Sequence, residues 1–165
     1  MKTFYGIEIL NRWDVFTILA DEVSFGCYTE GKFINEALPP GWACHAHHCT
    51  IYYGEEEKMS PAVKLFLANN LGKKIYLEVL SFGKSDAVTA LKVRARTYAP
   101  LEGIDYVMTE FQCMNENPHI TLATAPKHTP MEANDIKDWK PFDTTLHYKK
   151  MGEKTYIVGR LVKFH

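Results

Sequence analysis

The sequence has little that would suit an extracellular, membrane-spanning or nucleic-acid-coating protein. Its four cysteines, Cys27, Cys44, Cys49 and Cys113, form no Cys-x-x-Cys pair and no recognisable disulfide framework. A reduced, cytoplasmic protein with free thiols is expected. No apolar run approaches the roughly 20 residues that span a bilayer, and the first residues lack the long apolar stretch of a signal peptide. Neither sign of charge is in excess: 19 Lys and Arg face 20 Asp and Glu, for a net charge of -1 and a pI near 6.6. A protein that tracks long nucleic acid usually carries a basic patch and a raised pI, so long nucleic acid is not an expected partner. A small anionic ligand held by a few local groups is compatible with this balance. No convincing carboxylate set for a metal is present, and no cofactor or metal is expected.

Apolar residues are ample. They make up 46% of the 165 residues, and aromatics make up 13%, with nine Tyr, nine Phe and three Trp. That is enough for a core and for rings along a cleft. A single domain spanning 1–165 is expected.

Strands and helices are expected to alternate. Residues 3–9 read as a strand, and 14–22 as a short helix with Asp14 at its cap. A loop through Gly26, Gly31 and Trp42 leads to a strand over about 46–53. Ser60-Pro61 marks a helix start, Ala62 to Leu71 continues it, and Gly72 is its stop. Residues 74–82 and 87–96 read as a hairpin around Gly83-Lys84-Ser85-Asp86. Apolar residues at 104, 107, 108 and 111 have helical spacing, which predicts a third helix over 104–114. A strand over 118–124, a loop or short helix over 126–139, and a closing hairpin of 142–149 with 155–164 complete a mixed α+β chain.

One pattern recurs. His48-Cys49-Thr50-Ile51 stands in a predicted strand of the first half, and His119-Ile120-Thr121-Leu122 in one of the second. On a strand, residues two apart share a face. Each strand thus offers an imidazole beside a hydroxyl on one face and two apolar side chains on the other. If both polar faces meet in one groove, the arrangement suits phosphodiester cleavage. One imidazole takes a proton from the attacking oxygen and the other gives one to the leaving oxygen. The hydroxyls of Thr50 and Thr121 donate to the non-bridging phosphate oxygens, where charge gathers. A lone His-x-Thr carries almost no information; two copies in opposite halves carry a good deal.

The motifs His47-His48-Cys49-Thr50-Ile51 and Asn117-Pro118-His119-Ile120-Thr121-Leu122 resemble those of the two-histidine (2H) phosphoesterase superfamily. The order of expected elements around them is similar too. The resemblance implies a bilobal α+β fold, with two mostly antiparallel sheets around a central groove and helices outside. It implies His48 and His119 as catalytic acid and base, in unassigned order, and Thr50 and Thr121 as phosphate ligands. It also implies a metal-independent phosphodiesterase acting on a small nucleotide. A small cyclic oligonucleotide with 3′,5′ linkages, degraded in a counter-defence role, fits the compact chain best. Alternatives are a 2′,3′-cyclic phosphodiesterase on RNA ends, a 2′,5′-oligoadenylate phosphodiesterase, and a non-catalytic nucleotide sponge.

Several neighbours are candidates with bland counterparts. Tyr52 shares the strand face of His48 and Thr50 and could stack on a base or simply cover the groove edge. Tyr5 and Trp42 are further candidate rings, though they read more readily as core or lid. Trp139 and Tyr148 are weaker candidates. Ala123, at the position matching Tyr52, is small enough to leave ligand space. Cys44, His45 and His47 could suggest zinc, but lack the three- or four-ligand spacing such a site needs. Lys127 could attract phosphate, and Glu55-Glu56-Glu57 reads as a solvated turn.

Overall fold

The computed structural model describes residues 2–11, 15, 42–101, 104–111, 114, 117–141 and 156–164. Nine strands lie among them: β1 (Lys2–Ile9), β2 (Ala43–Cys44), β3 (His48–Glu55), β4 (Lys74–Lys84), β5 (Val88–Leu101), β6 (Ile104–Glu110), β7 (His119–Thr124), β8 (Trp139–Pro141) and β9 (Tyr156–Phe164). One helix, α1, spans Pro61–Asn70.

Every pairing between these strands is antiparallel. The order runs β3-β1-β9-β4-β5-β7, and β7 also pairs with β3. The six strands therefore close into a barrel. This corrects the expected bilobal fold with two sheets: the two motif strands are neighbours in one closed sheet. Closure leaves no unpaired edge between them. β6 extends from β5 and β8 from β4 outside the ring.

The expected helix over 104–114 is also corrected, since Ile104–Glu110 is a strand paired to β5 from Leu101↔Ile104 to Arg96↔Glu110. β-Branched and aromatic residues at Ile104, Tyr106, Val107 and Thr109 suit a pleated surface. The extended edge of β5 supplies hydrogen-bond partners that a helix there would leave unused. The expected helix over 14–22 and loop up to residue 41 fall outside the described residues, apart from Val15. So does the 142–149 arm of the last hairpin.

Period-two patterning explains the barrel interior. Ile7, Cys49, Ile51, Leu77, Leu91, Ile120, Leu122, Ile157 and Leu161 point inward and are wholly buried. Small barrels of this kind are packed with side chains rather than hollow. Register shifts at Tyr5/Gly6, Val79/Ser81 and Thr89/Ala90 bend the strands enough to close the ring. At Gly159, opposite Ile9 on β1 and Ile75 on β4, the backbones come too close for a side chain. A Cβ there would overlap Ile7 Cγ2 and sit 2.8 Å from the Glu8 carbonyl oxygen.

α1 packs on the barrel through Leu67, with Val63 and Phe66 beside it. Its start follows the sequence signal: Val63 N donates to Ser60 Oγ over 3.2 Å, with Pro61 in the first turn. Gly72, at φ +81, takes the left-handed conformation just beyond the helix. The β4–β5 turn is held by Ser85, whose Oγ accepts from Ala87 N and Val88 N at 3.2 Å each.

A second, smaller core lies outside the barrel. The 3₁₀ turn Pro130–Asp135 sets Ala133, with Ile136 just after it, against Val88 and Ala90, and Trp139 packs alongside. This layer builds one wall of the groove described next.

Candidate functional site

Cys49 pairs with Ile120 across β3 and β7. In that antiparallel register His48 stands opposite Thr121, and Thr50 opposite His119. Each imidazole thus faces the hydroxyl of the other motif. The histidines are diagonal neighbours, and such positions lie about 7–8 Å apart on an antiparallel pair. Both rings open on the same groove.

The alternation that buries Cys49, Ile51, Ile120 and Leu122 in the barrel turns both His-x-Thr faces outward. Just upstream the chain leaves the regular ladder at Ala46, whose φ is 64. There His45 N and Ala46 N donate to the carbonyls of Leu122 and Thr121. The bend lets β2 and β3 pair with the same strand, β7, in different registers.

The outward faces form the floor of a groove of about 640 Å³ lined by His48, Thr50, His119 and Thr121 together. Phe4 of β1 and Tyr52 and Tyr53 of β3 contribute rings, and Met114 adds an apolar side chain. Thr129, Pro130, Met131 and Asn134 form the far wall. A capping box holds that wall, in which Thr129 N donates to Glu132 Oε2 over 2.7 Å. The Thr121 hydroxyl reaches the Pro130 carbonyl through a long 3.4 Å bond.

His119 is nearly buried, at 8% exposure. Its Nδ1 lies 2.7 Å from the Asn117 carbonyl oxygen. A carbonyl only accepts, so Nδ1 carries the hydrogen and Nε2 is the nitrogen that exchanges a proton. Burial pulls the His119 pKa below the usual histidine value, and the Asn117 carbonyl works the other way by favouring the charged ring. Burial also lowers the pKa of His48, and positive charge on His47, His119 or His45 lowers it further. Phe4 and Phe164 pack beside this ring, each with its centroid 5.3 Å from the imidazole.

Two imidazoles that each disfavour charge on the other hold one proton more readily than two. A pair with one neutral and one protonated ring, two hydroxyls beside it and apolar walls around it can exchange protons with oxygens on both sides of a bound phosphate.

The remaining sequence candidates separate. Tyr52 lines the groove, with its hydroxyl donating to the Glu55 carbonyl over 3.0 Å. Tyr5 lies in the barrel core cluster, with Lys163 Nζ 5.7 Å from its ring centroid. Trp42 is half-buried and does not line the groove. Ala123 is wholly buried, opposite Thr89 on β5, and leaves no ligand space. Trp139 covers Gly83 in the smaller core, with Lys92 Nζ 5.6 Å from its ring centroid. Tyr148 falls outside the described residues. Lys127 is exposed at φ 69. His45 Nε2 is hydrogen-bonded to Thr124 Oγ1 at 2.9 Å. Among the described residues no three His, Cys, Asp or Glu side chains gather in a metal-binding group. Glu56–Lys58 forms a 3₁₀ turn at the surface.

Sequence reasoning missed Phe4, Phe164, Met114 and the Thr129–Asn134 wall. Nothing local marks them: Phe4, Met114 and the wall line the groove, and Phe164 packs behind it against His48, all through contacts between distant parts of the chain. The Asn117 carbonyl belongs to the backbone and carries no residue-type signal. Among the described residues, no helix is long and apolar enough to cross a membrane. No family model matches the sequence, and no curated protein and no solved structure is significantly similar to it.

Proposed function

We propose that the chain is a phosphodiesterase that cleaves a nucleotide phosphodiester by acid–base catalysis with His48 and His119, without a metal. The observation that carries this reading is the convergence of both imidazoles and both threonines on one groove. The two-histidine motif resemblance points the same way.

The electrostatic settings of the rings support distinct roles. Burial lowers the pKa of both rings, and of the two only His119 has an opposing partner, the Asn117 carbonyl, which makes it the better placed to hold the proton as general acid. The aromatic surroundings of His48 and the imidazoles near it favour a neutral ring, which suits a general base. In the first step His48 takes the proton of the attacking hydroxyl, either a neighbouring 2′-hydroxyl or water. The phosphorus–oxygen bond to the leaving group breaks as the new one forms, and His119 Nε2–H protonates the departing oxygen. Attack by a 2′-hydroxyl leaves a 2′,3′-cyclic phosphate. Water opens that ring with the two histidines in exchanged roles. Thr50 donates to the non-bridging oxygens, and Thr121 joins it by turning its hydroxyl from the Pro130 carbonyl, to which its bond is long.

A groove of about 640 Å³ accommodates a small nucleotide ligand. None of its lining residues is Lys or Arg among the described residues, which favours a short substrate over long RNA. A small 3′,5′-linked cyclic oligonucleotide in a counter-defence setting is the proposed substrate class. A chromatographic screen of cyclic mono-, di- and trinucleotides, RNA with 2′,3′-cyclic ends and 2′,5′-oligoadenylate tests the reading. Turnover of one class, retained in EDTA, is expected. Binding with recovery of intact ligand would replace the enzyme by a nucleotide sponge.

A further inference from the structure

Two aromatic rings meet at His48, and a glycine lies against one of them. Phe4 and Phe164 pair across β1 and β9, with ring centroids 4.8 Å apart. The Phe4 ring meets the imidazole edge-on at 89°, and the Phe164 ring meets it at 55°. Gly6 lies beneath: a Cβ there would come within 2.8 Å of Phe164 Cε2 and 3.1 Å of the Cys49 carbonyl oxygen. Gly6 stands opposite Thr50 on one side and Val162 on the other, at the register shift in β1. The missing side chain leaves the space in which the Phe164 ring lies. His119 is oriented by a hydrogen bond to its own strand's approach segment, whereas His48 is flanked by aromatic faces from two other strands.

We propose that Phe4 and Phe164 are positioning residues that clamp the His48 imidazole in its reactive orientation, and that Gly6 is the gap that seats the clamp. The inference rests on the phosphodiesterase reading for its kinetic consequence, but the clamp itself is physical. A histidine ring on an open strand face samples several rotamers. Two rings at van der Waals range restrict it to one and exclude water from its side. Loss of orientation at a proton-transfer group lowers turnover more than it lowers substrate affinity. The charged and titratable groups around His48 are His45, His47 and His119, with Glu8 opposite it on β1 and Arg160 opposite Glu8 on β9. None of them is altered by changing the phenylalanines.

The test uses the full chain with F164A, F164L, F164Y and G6A. Each is followed by NMR titration of the histidine rings, by thermal melting and by kinetics on a p-nitrophenyl phosphodiester of a nucleoside. F164A and G6A are expected to move the His48 pKa up toward the ordinary value of 6.5, with the His119 titration unchanged. Their kcat should fall about ten- to a hundredfold at similar KM. F164Y, which keeps the ring, should retain kcat. If F164A or G6A fails to fold, F164L decides: it keeps apolar bulk but not the flat face, and should lose kcat without losing its fold. A folded F164A or F164L with wild-type kcat and wild-type His48 titration overturns the clamp. If the wild type cleaves no phosphodiester, the functional reading fails, and the titration of His48 alone still decides whether the clamp exists.

Discussion

Cys49 and Ile120 face each other across β3 and β7, and this one bridge brings the two halves of the groove into step. Because both side chains point into the barrel, their neighbours on either side point out. His48 then lies against Thr121, and Thr50 against His119. A slip of one residue would bury the imidazoles and expose the isoleucine. The register is therefore enforced by core packing.

Replacing either histidine should remove most turnover. His48→Ala and His119→Ala are each expected to lower kcat by about 10² to 10⁴, while nucleotide binding persists. Calorimetry and single-turnover kinetics on the purified variants measure the two separately. Full activity in either variant would refute the mechanism.

The role assignment has its own test. A p-nitrophenolate leaving group departs without a proton, whereas a nucleoside alkoxide needs one. His119→Ala should therefore be far less damaging on a nucleoside 3′-(p-nitrophenyl phosphate) than on a dinucleotide. His48→Ala should be equally damaging on both. The reverse pattern would exchange acid and base.

Both histidines have pKa values below the usual 6.5. Activity of the free protein needs one ring neutral and one protonated, so kcat/KM should follow a bell centred on the acid side of 6.5. Stability has a definite sign as well. In the window between the folded and unfolded values the unfolded chain binds more protons, so stability falls as pH drops below about 6.5. Above that value the contribution is complete. Chemical denaturation across this range should show the slope, and His119→Ala should flatten it.

The threonines are expected to act in the transition state. Thr50→Val or Thr121→Val removes a donor at nearly constant volume and should lower kcat about 10²- to 10³-fold, with Ser substitutions retaining most activity. Steady-state kinetics distinguish this from a change in KM alone.

Barrel closure depends on Gly159. Gly159→Ala inserts a methyl against Ile7 Cγ2 and the Glu8 carbonyl, at an expected cost of about 1–3 kcal/mol. Thermal melting of this variant should drop well below the wild type, and an unchanged melt would show that β1 and β9 can separate freely.

The legible parts of the structure are those decided within a few residues. Ser60, Pro61 and Gly72 bracket α1 where the sequence places it, because caps act on adjacent backbone groups. The β4–β5 hairpin and the motif strands follow from period-two patterning and a serine turn. The segment 104–110 was not legible. Its apolar spacing fits a helix, and only the neighbouring edge of β5 makes it a strand. Tyr5 reads in the sequence more readily as core or lid than as a groove ring, and it lies in the core cluster beside the β1 bulge.

The sequence alone determined that two strands would each carry an imidazole and a hydroxyl on one face, since side-chain alternation is a property of the strand itself. The tertiary structure decided that these strands are neighbours in a closed barrel, that the Asn117 carbonyl orients one ring, and that Phe4 and Phe164 enclose the other. Those outcomes depend on which distant backbone edges pair, and that is set by burial and hydrogen-bond satisfaction over the whole sheet.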